Sequence, residues 1–226
     1  MNLQRLSKTA ILLFSMLLSI NTFAAEQWYQ VEMIIFGQNH SITTVREEMA
    51  DNTFIPDSLT AVKLSPEGLS HMNRRGSVAF KLLAENHFIL KHHYNKIQSN
   101  PTYTPVMHIA WRQPVAYRKK GFKVKIEGGK VFVDQGNPGN NENGNDNQAE
   151  VAGTQGSKQL REVSGTVVVK RSRYLHIKTD LLYRNKATAS GQVKTYRMKG
   201  SRRMKSKELH YIDHPMFGML VYIRGI

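Results

Sequence analysis

Apolar positions along the chain follow three patterns, and each predicts a different element. The first is strict alternation. In Phe122-Lys-Val-Lys-Ile126 the lysines share one face, and Tyr174, His176, Lys178 and Asp180 alternate with Leu175, Ile177 and Leu181. A period of two puts one face of a strand in a core and leaves the other wet, as in an antiparallel sheet. The second pattern is a nearly continuous apolar run. Gln30-Val-Glu-Met-Ile-Ile-Phe36 alternates at first and then turns apolar throughout, as a core strand does. Pro105-Val-Met-His-Ile-Ala-Trp111, Lys130-Val-Phe-Val133 after the Gly128-Gly129 turn, and the apolar stretch after Pro215 read likewise as strands. The third pattern is helical. Val78, Leu82, Leu83, Leu90, Tyr94 and Ile97 lie mostly three or four apart, and Asn100-Pro101 ends the run. This predicts a helix over residues 77–97 that carries His87, His92 and His93. One helix and at least five strands, mostly joined by short turns, give an α+β class, with a mainly antiparallel sheet packed against a helical layer.

Two segments stand outside this pattern. Residues 1–24 read as a secretory signal peptide: Arg5 and Lys8 precede an apolar stretch from Ala10 to Ile20, and small residues at Thr22 and Ala24 fit cleavage after Ala24. The apolar stretch is shorter than the ~20 residues a membrane-spanning helix needs. No later segment is apolar enough to span. The second segment is Asn- and Gly-rich, at about residues 134–160, and has no apolar residue from Gln135 to Gln148. Such a stretch buries too little surface to offset its ordering entropy, so it reads as a disordered, flexible insertion in a single domain at 25–226.

Charge narrows the function. The full chain carries a formal net charge of +15, and from Val163 onward fourteen Lys or Arg stand against only Asp180, Glu208 and Asp213. In an unexported protein this surplus would point to nucleic acid through phosphate neutralisation. Export to the periplasm redirects it to envelope polyanions: lipid head groups, lipopolysaccharide phosphates and the free carboxylates of peptidoglycan stem peptides. The chain has no cysteine, so neither a disulfide nor lipid attachment through a cysteine is available to it, and its stability rests on an ordinary core.

Catalytic chemistry finds little support. His210-x-x-x-His214 with Asp213 is the only metal-like spacing. Pro215 directly after His214 disfavours the helix that would bring two such histidines onto one face. The bland alternative is a turn whose polar side chains bond to backbone groups. There is no Gly-x-Ser-x-Gly elbow and no Ser-x-x-Lys pair. No cofactor is expected.

Two groups suit recognition instead. Arg202, Arg203, Lys205 and Lys207 lie on a strand-like run, where Arg203, Lys205 and Lys207 would share a face fit for carboxylates or phosphates. The alternative is a solvated edge strand whose lysines block aggregation. Trp111 and Arg112 at a strand end could stack on a sugar or peptide, or form a core-edge anchor.

Four stretches in order carry a resemblance. They are Trp28-Tyr-Gln-Val-Glu-Met-Ile-Ile-Phe36, Ala110-Trp-Arg-Gln-Pro114, Arg173-Tyr-Leu-His-Ile-Lys-Thr-Asp-Leu181 and the long closing run from Arg202 to Val221. Together they resemble the CsiV family of periplasmic peptidoglycan-binding proteins, most strongly after Arg173. The resemblance implies a non-enzymatic factor that binds the cell wall. It also implies support for a bifunctional peptidoglycan synthase (a penicillin-binding protein) through its outer-membrane lipoprotein activator. It brings no catalytic or binding residues with it. Two other readings stay open: a metal-dependent peptidoglycan hydrolase using His210, Asp213 and His214, and an adaptor for anionic envelope lipids.

Overall fold

The computed structural model describes residues 27–39, 60–72, 78–134, 158–186 and 193–226. The predicted signal peptide and most of the predicted insertion lie outside them. Among the described residues twelve strands run in chain order: β1 (Gln27–Gln38), β2 (Val62–Lys63), β3 (Leu69–Met72), β4 (Val78–Ala79), β5 (Lys81–Leu82), β6 (Tyr103–Val115), β7 (Lys123–Asp134), β8 (Lys158–Arg171), β9 (Leu175–Lys186), β10 (Val193–Met204), β11 (Leu209–His214) and β12 (Phe217–Gly225). The one α-helix among the described residues, α1 (Lys91–Gln98), follows a short 3-10 turn at Glu85–His87.

Two five-stranded sheets carry the fold, in the orders β11-β12-β1-β6-β5 and β10-β9-β8-β7-β2; β3 and β4 form a small ribbon. Every long strand pairs antiparallel. Alternation decides which residues face inward. Val31, Met33 and Ile35 of β1 and Val221 and Ile223 of β12 share one buried cluster with Val124 and Ile126 of β7, Val167 and Val169 of β8, and Ile177 and Leu181 of β9. The sheets are therefore the two halves of a sandwich.

A second cluster explains why β1 reads as apolar on both faces. Ile34 and Phe36 point away from the sandwich core and pack with Leu90 and Ile97 of the α1 segment, flanked by Tyr94, Tyr103, Leu220 and Tyr222. The same outer face holds Glu32, which is 0 % exposed. Leu90 at the start of α1 offers no side-chain cap, and the Glu32 carboxylate takes its place. It accepts the backbone N–H of Ile89 at 2.8 Å and of Leu90 at 2.7 Å, and lies 2.8 Å from His108 Nε2. A carboxylate at a helix start satisfies donors that otherwise have no partner.

These observations correct the α+β expectation. Alternation establishes that a strand has one dry face but not what dries it, and here the second sheet does so. An eight-residue helix is only ~12 Å long, too short to cover five strands. The predicted helix over residues 77–97 is also corrected, since only its last third is helical. Val78–Ala79 and Lys81–Leu82 are strands on either side of Phe80, whose φ is +55°. Ala79 and Phe80 enter the sandwich core, whereas Leu90 and Ile97 enter the outer cluster. Of the residues that carry the helical spacing, Leu90 and Ile97 enter the outer cluster, whereas Leu82 and Leu83 line a groove.

Candidate functional site

Antiparallel connectivity gathers three separate basic segments at one end of the sandwich. The connection at residues 116–122 leaves β6 and carries Arg118, Lys119 and Lys120. The turn between β8 and β9 carries Arg173 next to Arg171, and the turn between β10 and β11 carries Lys205 and Lys207 beside Arg202 and Arg203. Contacts show that the three meet. Tyr117 bridges to Arg171, and the Arg118 N–H donates to the Arg171 carbonyl at 2.8 Å. The Arg203 guanidinium lies 4.8 Å from the centre of the Tyr174 ring, which Arg173 flanks at 5.6 Å. Tyr117 is likewise flanked by Arg118 at 5.2 Å and Arg171 at 5.5 Å. Each tyrosine thus holds two guanidinium groups by cation–π attraction, fixing charges that would otherwise swing freely. Glu208 is the only carboxylate side chain in these three segments. It lies 3.4 Å from Lys205, an exposed pair that contributes little to stability.

Two of these cations sit in a conformation that suits glycine better. Arg118 has φ +56° and Lys207 φ +67°, a region that costs a residue with a Cβ about 1 kcal/mol. The charged side chain is kept at both turns despite that cost.

The basic end continues onto the outer face of the second sheet. Side chains opposite one another across an antiparallel pair share a face. The register therefore places Lys125, Thr166, Asp180 and Lys199 in one row, and Lys170, His176 and Arg203 in another. Arg197 donates two hydrogen bonds to Asp180, at 2.7 and 2.8 Å, which raises its pKa further. Lys125 pairs with Glu127 at 2.7 Å. Lys170, Lys178 and Lys199 make no ion pair among the described residues.

Arg202, Arg203, Lys205 and Lys207 lie together, but not as predicted. Strand β10 ends at the buried Met204, so Lys205 and Lys207 belong to a turn and share no strand face with Arg203. Arg203 points outward to Tyr174, whereas Arg202 lies at the inner rim, where its charge acts on His210. Trp111 is 0 % exposed, and its indole N–H donates to Gln113 Oε1 at 2.7 Å. The indole fills core and offers no ring to a sugar. Arg112 points the other way, onto the outer face of the first sheet. Sequence reasoning missed Arg118, Lys119, Lys120, Arg171 and Arg173, together with the two tyrosines. Their signal was a basic cluster at the end of each predicted strand.

The metal-like spacing dissolves. Residues 209–214 form a strand, where positions four apart are separated by ~13 Å. His210 and His214 lie on one side of it and Asp213 on the other. The Asp213 carboxylate accepts from Tyr211 and from Gln38 Nε2, while His214 Nδ1 accepts the Met216 N–H at 3.1 Å. No group of three metal-ligating side chains forms among the described residues.

Burial first, then the Arg202 charge, depresses the pKa of His210 below its ordinary 6.5; Lys205 adds to this and Glu208 opposes it. The unfolded chain therefore takes up this proton at a higher pH than the native one. Stability falls as pH drops from about 6.5 towards the lower native value. His210→Gln is expected to flatten that part of the profile, read from urea midpoints between about pH 7.5 and pH 5. A profile parallel to that of the unsubstituted chain would exclude this role.

By fold and surface the described residues form a mainly β sandwich that presents fixed cations and aromatics at one end. The chain belongs to the CsiV family of peptidoglycan-binding proteins: the family model described as "Peptidoglycan-binding protein, CsiV" matches residues 6–226. No curated protein and no solved structure shows a significant match. Among the described residues no helix is long and apolar enough to cross a membrane.

Proposed function

We propose that this protein is a non-enzymatic periplasmic factor that holds peptidoglycan at the basic end of its sandwich. The carrying observation is the convergence of three basic turns around Tyr117 and Tyr174. Peptidoglycan offers repeated carboxylates on stem peptides, and guanidinium groups pinned on tyrosine rings meet such carboxylates with little further loss of side-chain entropy. Assistance to the bifunctional synthase, through its outer-membrane lipoprotein activator, rests on the family resemblance. A partner would dock on a face other than the basic end. Residues 1–24 would direct export, and residues 25–226 would act as one domain.

Retention on purified sacculi tests this reading. Reversing Arg202, Arg203, Lys205 and Lys207 to glutamate is expected to cut retention at least about tenfold near 0.1 M salt, with wild-type retention itself falling as salt rises. Lys207→Gly and Arg118→Gly are expected to raise the melting temperature slightly while weakening retention. Undiminished retention in the fourfold variant would remove the site. Displacement by vesicles bearing anionic head groups, but not by soluble wall fragments, would transfer it to lipid.

A further inference from the structure

We propose that a groove on the outer face of the first sheet binds the free carboxyl end of a short aliphatic peptide, such as a wall stem peptide. This deepens the wall-binding reading and rests on it for the identity of the ligand. The groove has a volume of ≈ 470 Å³ and is lined by Pro66, Lys81, Leu82, Leu83, Ala84, His87 and Arg112. That volume lies within the roughly 300–1,000 Å³ typical of ligand sites.

Register builds its charged side. Lys81 of β5 pairs with Arg112 of β6, which pairs with Gln30 of β1, which pairs with Arg224 of β12. These four side chains form one row across the sheet. Gln30 is fully buried and already committed: its oxygen accepts from Arg224 Nη2 at 2.9 Å, and its amide donates to the His87 carbonyl at 3.1 Å. Nothing is left for Arg112. Its Nε is sealed from solvent and makes no hydrogen bond, and among the described residues neither Arg112 nor Lys81 has a carboxylate partner. Glu67 and Glu85, adjacent in sequence to two lining residues, are exposed and pair with neither cation.

The rest of the lining selects among anions. Leu82, Leu83, Ala84 and Pro66 make the walls mainly apolar. A sugar would leave hydroxyls unpaired against those walls, and a bare phosphate would leave the walls in water. A ligand with small aliphatic side chains ending in a carboxylate satisfies both halves, with the carboxylate on Arg112 and Lys81.

The test uses N-acetyl-D-Ala-D-Ala and its C-terminal amide as probes in NMR titrations of the full chain. The free acid is expected to shift the amides of Leu82, Leu83 and Arg112 and to bind at least about tenfold more tightly than the amide. Arg112→Gln should abolish that preference, and Arg112→Lys should keep part of it with the fold intact. Equal binding of acid and amide, or shifts confined to the basic end, would overturn the proposal. Sacculus retention separates the two readings. If Arg112→Gln loses the acid preference yet keeps retention, both sites stand. If sacculi do not bind while the acid preference persists, the groove stands and the wall-binding end falls.

Discussion

Glu32→Ala is expected to destabilise the fold by about 3 kcal/mol or more, because it removes the one acceptor that several hydrogen bonds share and leaves a void in the packing. The substitution strips the acceptor from the Leu90 N–H, which is buried, and from the Ile89 N–H and His108 Nε2, which are part-buried. Each orphaned donor keeps its desolvation cost, and the lost side chain leaves a void beneath α1. Glu32→Gln retains one acceptor oxygen and should lose roughly half as much. Urea unfolding measures both, and hydrogen exchange adds a local signature: the amides of α1 should lose protection first, because the helix has no cap of its own. A Glu32→Ala midpoint within about 1 kcal/mol of the unsubstituted chain would mean that the carboxylate is incidental.

The second large effect is a backbone one. Gly165 in β8 has φ +149°, and a Cβ added there would lie 2.1 Å from the Asp180 carbonyl oxygen and 2.8 Å from Leu181 Cα. Both atoms belong to the neighbouring strand, so no rotamer change relieves the clash. Strands β8 and β9 must separate or Gly165→Ala cannot fold. We expect a loss of about 3 kcal/mol or more, equivalent to roughly 10 °C in melting temperature for a chain of this size. The displaced strand also carries the carboxylate that pairs with Arg197. A melting temperature within about 2 °C of the unsubstituted chain would contradict this account.

Strands were the legible part of this fold. The alternation in residues 174–181 and 122–126, and the apolar run of residues 30–36, mark β9, β7 and β1 at once, because pleating ties side-chain direction to a period of two. What covers each strand was not legible. Alternation is the same whether a helix or a second sheet supplies the other wall, and the helical spacing of residues 78–97 tipped the reading towards the wrong one. Glu32 shows the limit more sharply. A carboxylate inside an apolar run looks like an interruption until its partners arrive 57 residues later. The basic end was half legible. Arg202, Arg203, Lys205 and Lys207 stand close together in the chain, but Arg118–Lys120 and Arg171–Arg173 join them only because every second connection of an antiparallel meander returns to the same end. Trp111 shows the reverse: residue type pointed to a ligand, and burial returned it to the core.

The pairing of β1 with β12, with Tyr29 opposite Gly225, governs the order in which the molecule can assemble. Strands β7 to β10 follow one another along the chain and can zip as neighbours. The other sheet must bring together the first and last described strands across nearly the whole polypeptide, a loop closure that is entropically slow. A partly synthesised chain can form the whole meander before the first sheet is complete. Until the last nine-residue strand arrives, the inner face of the meander is covered only by β1, β6 and β5, and a partner that shields the rest over that interval would act on the yield of folded protein rather than on its stability.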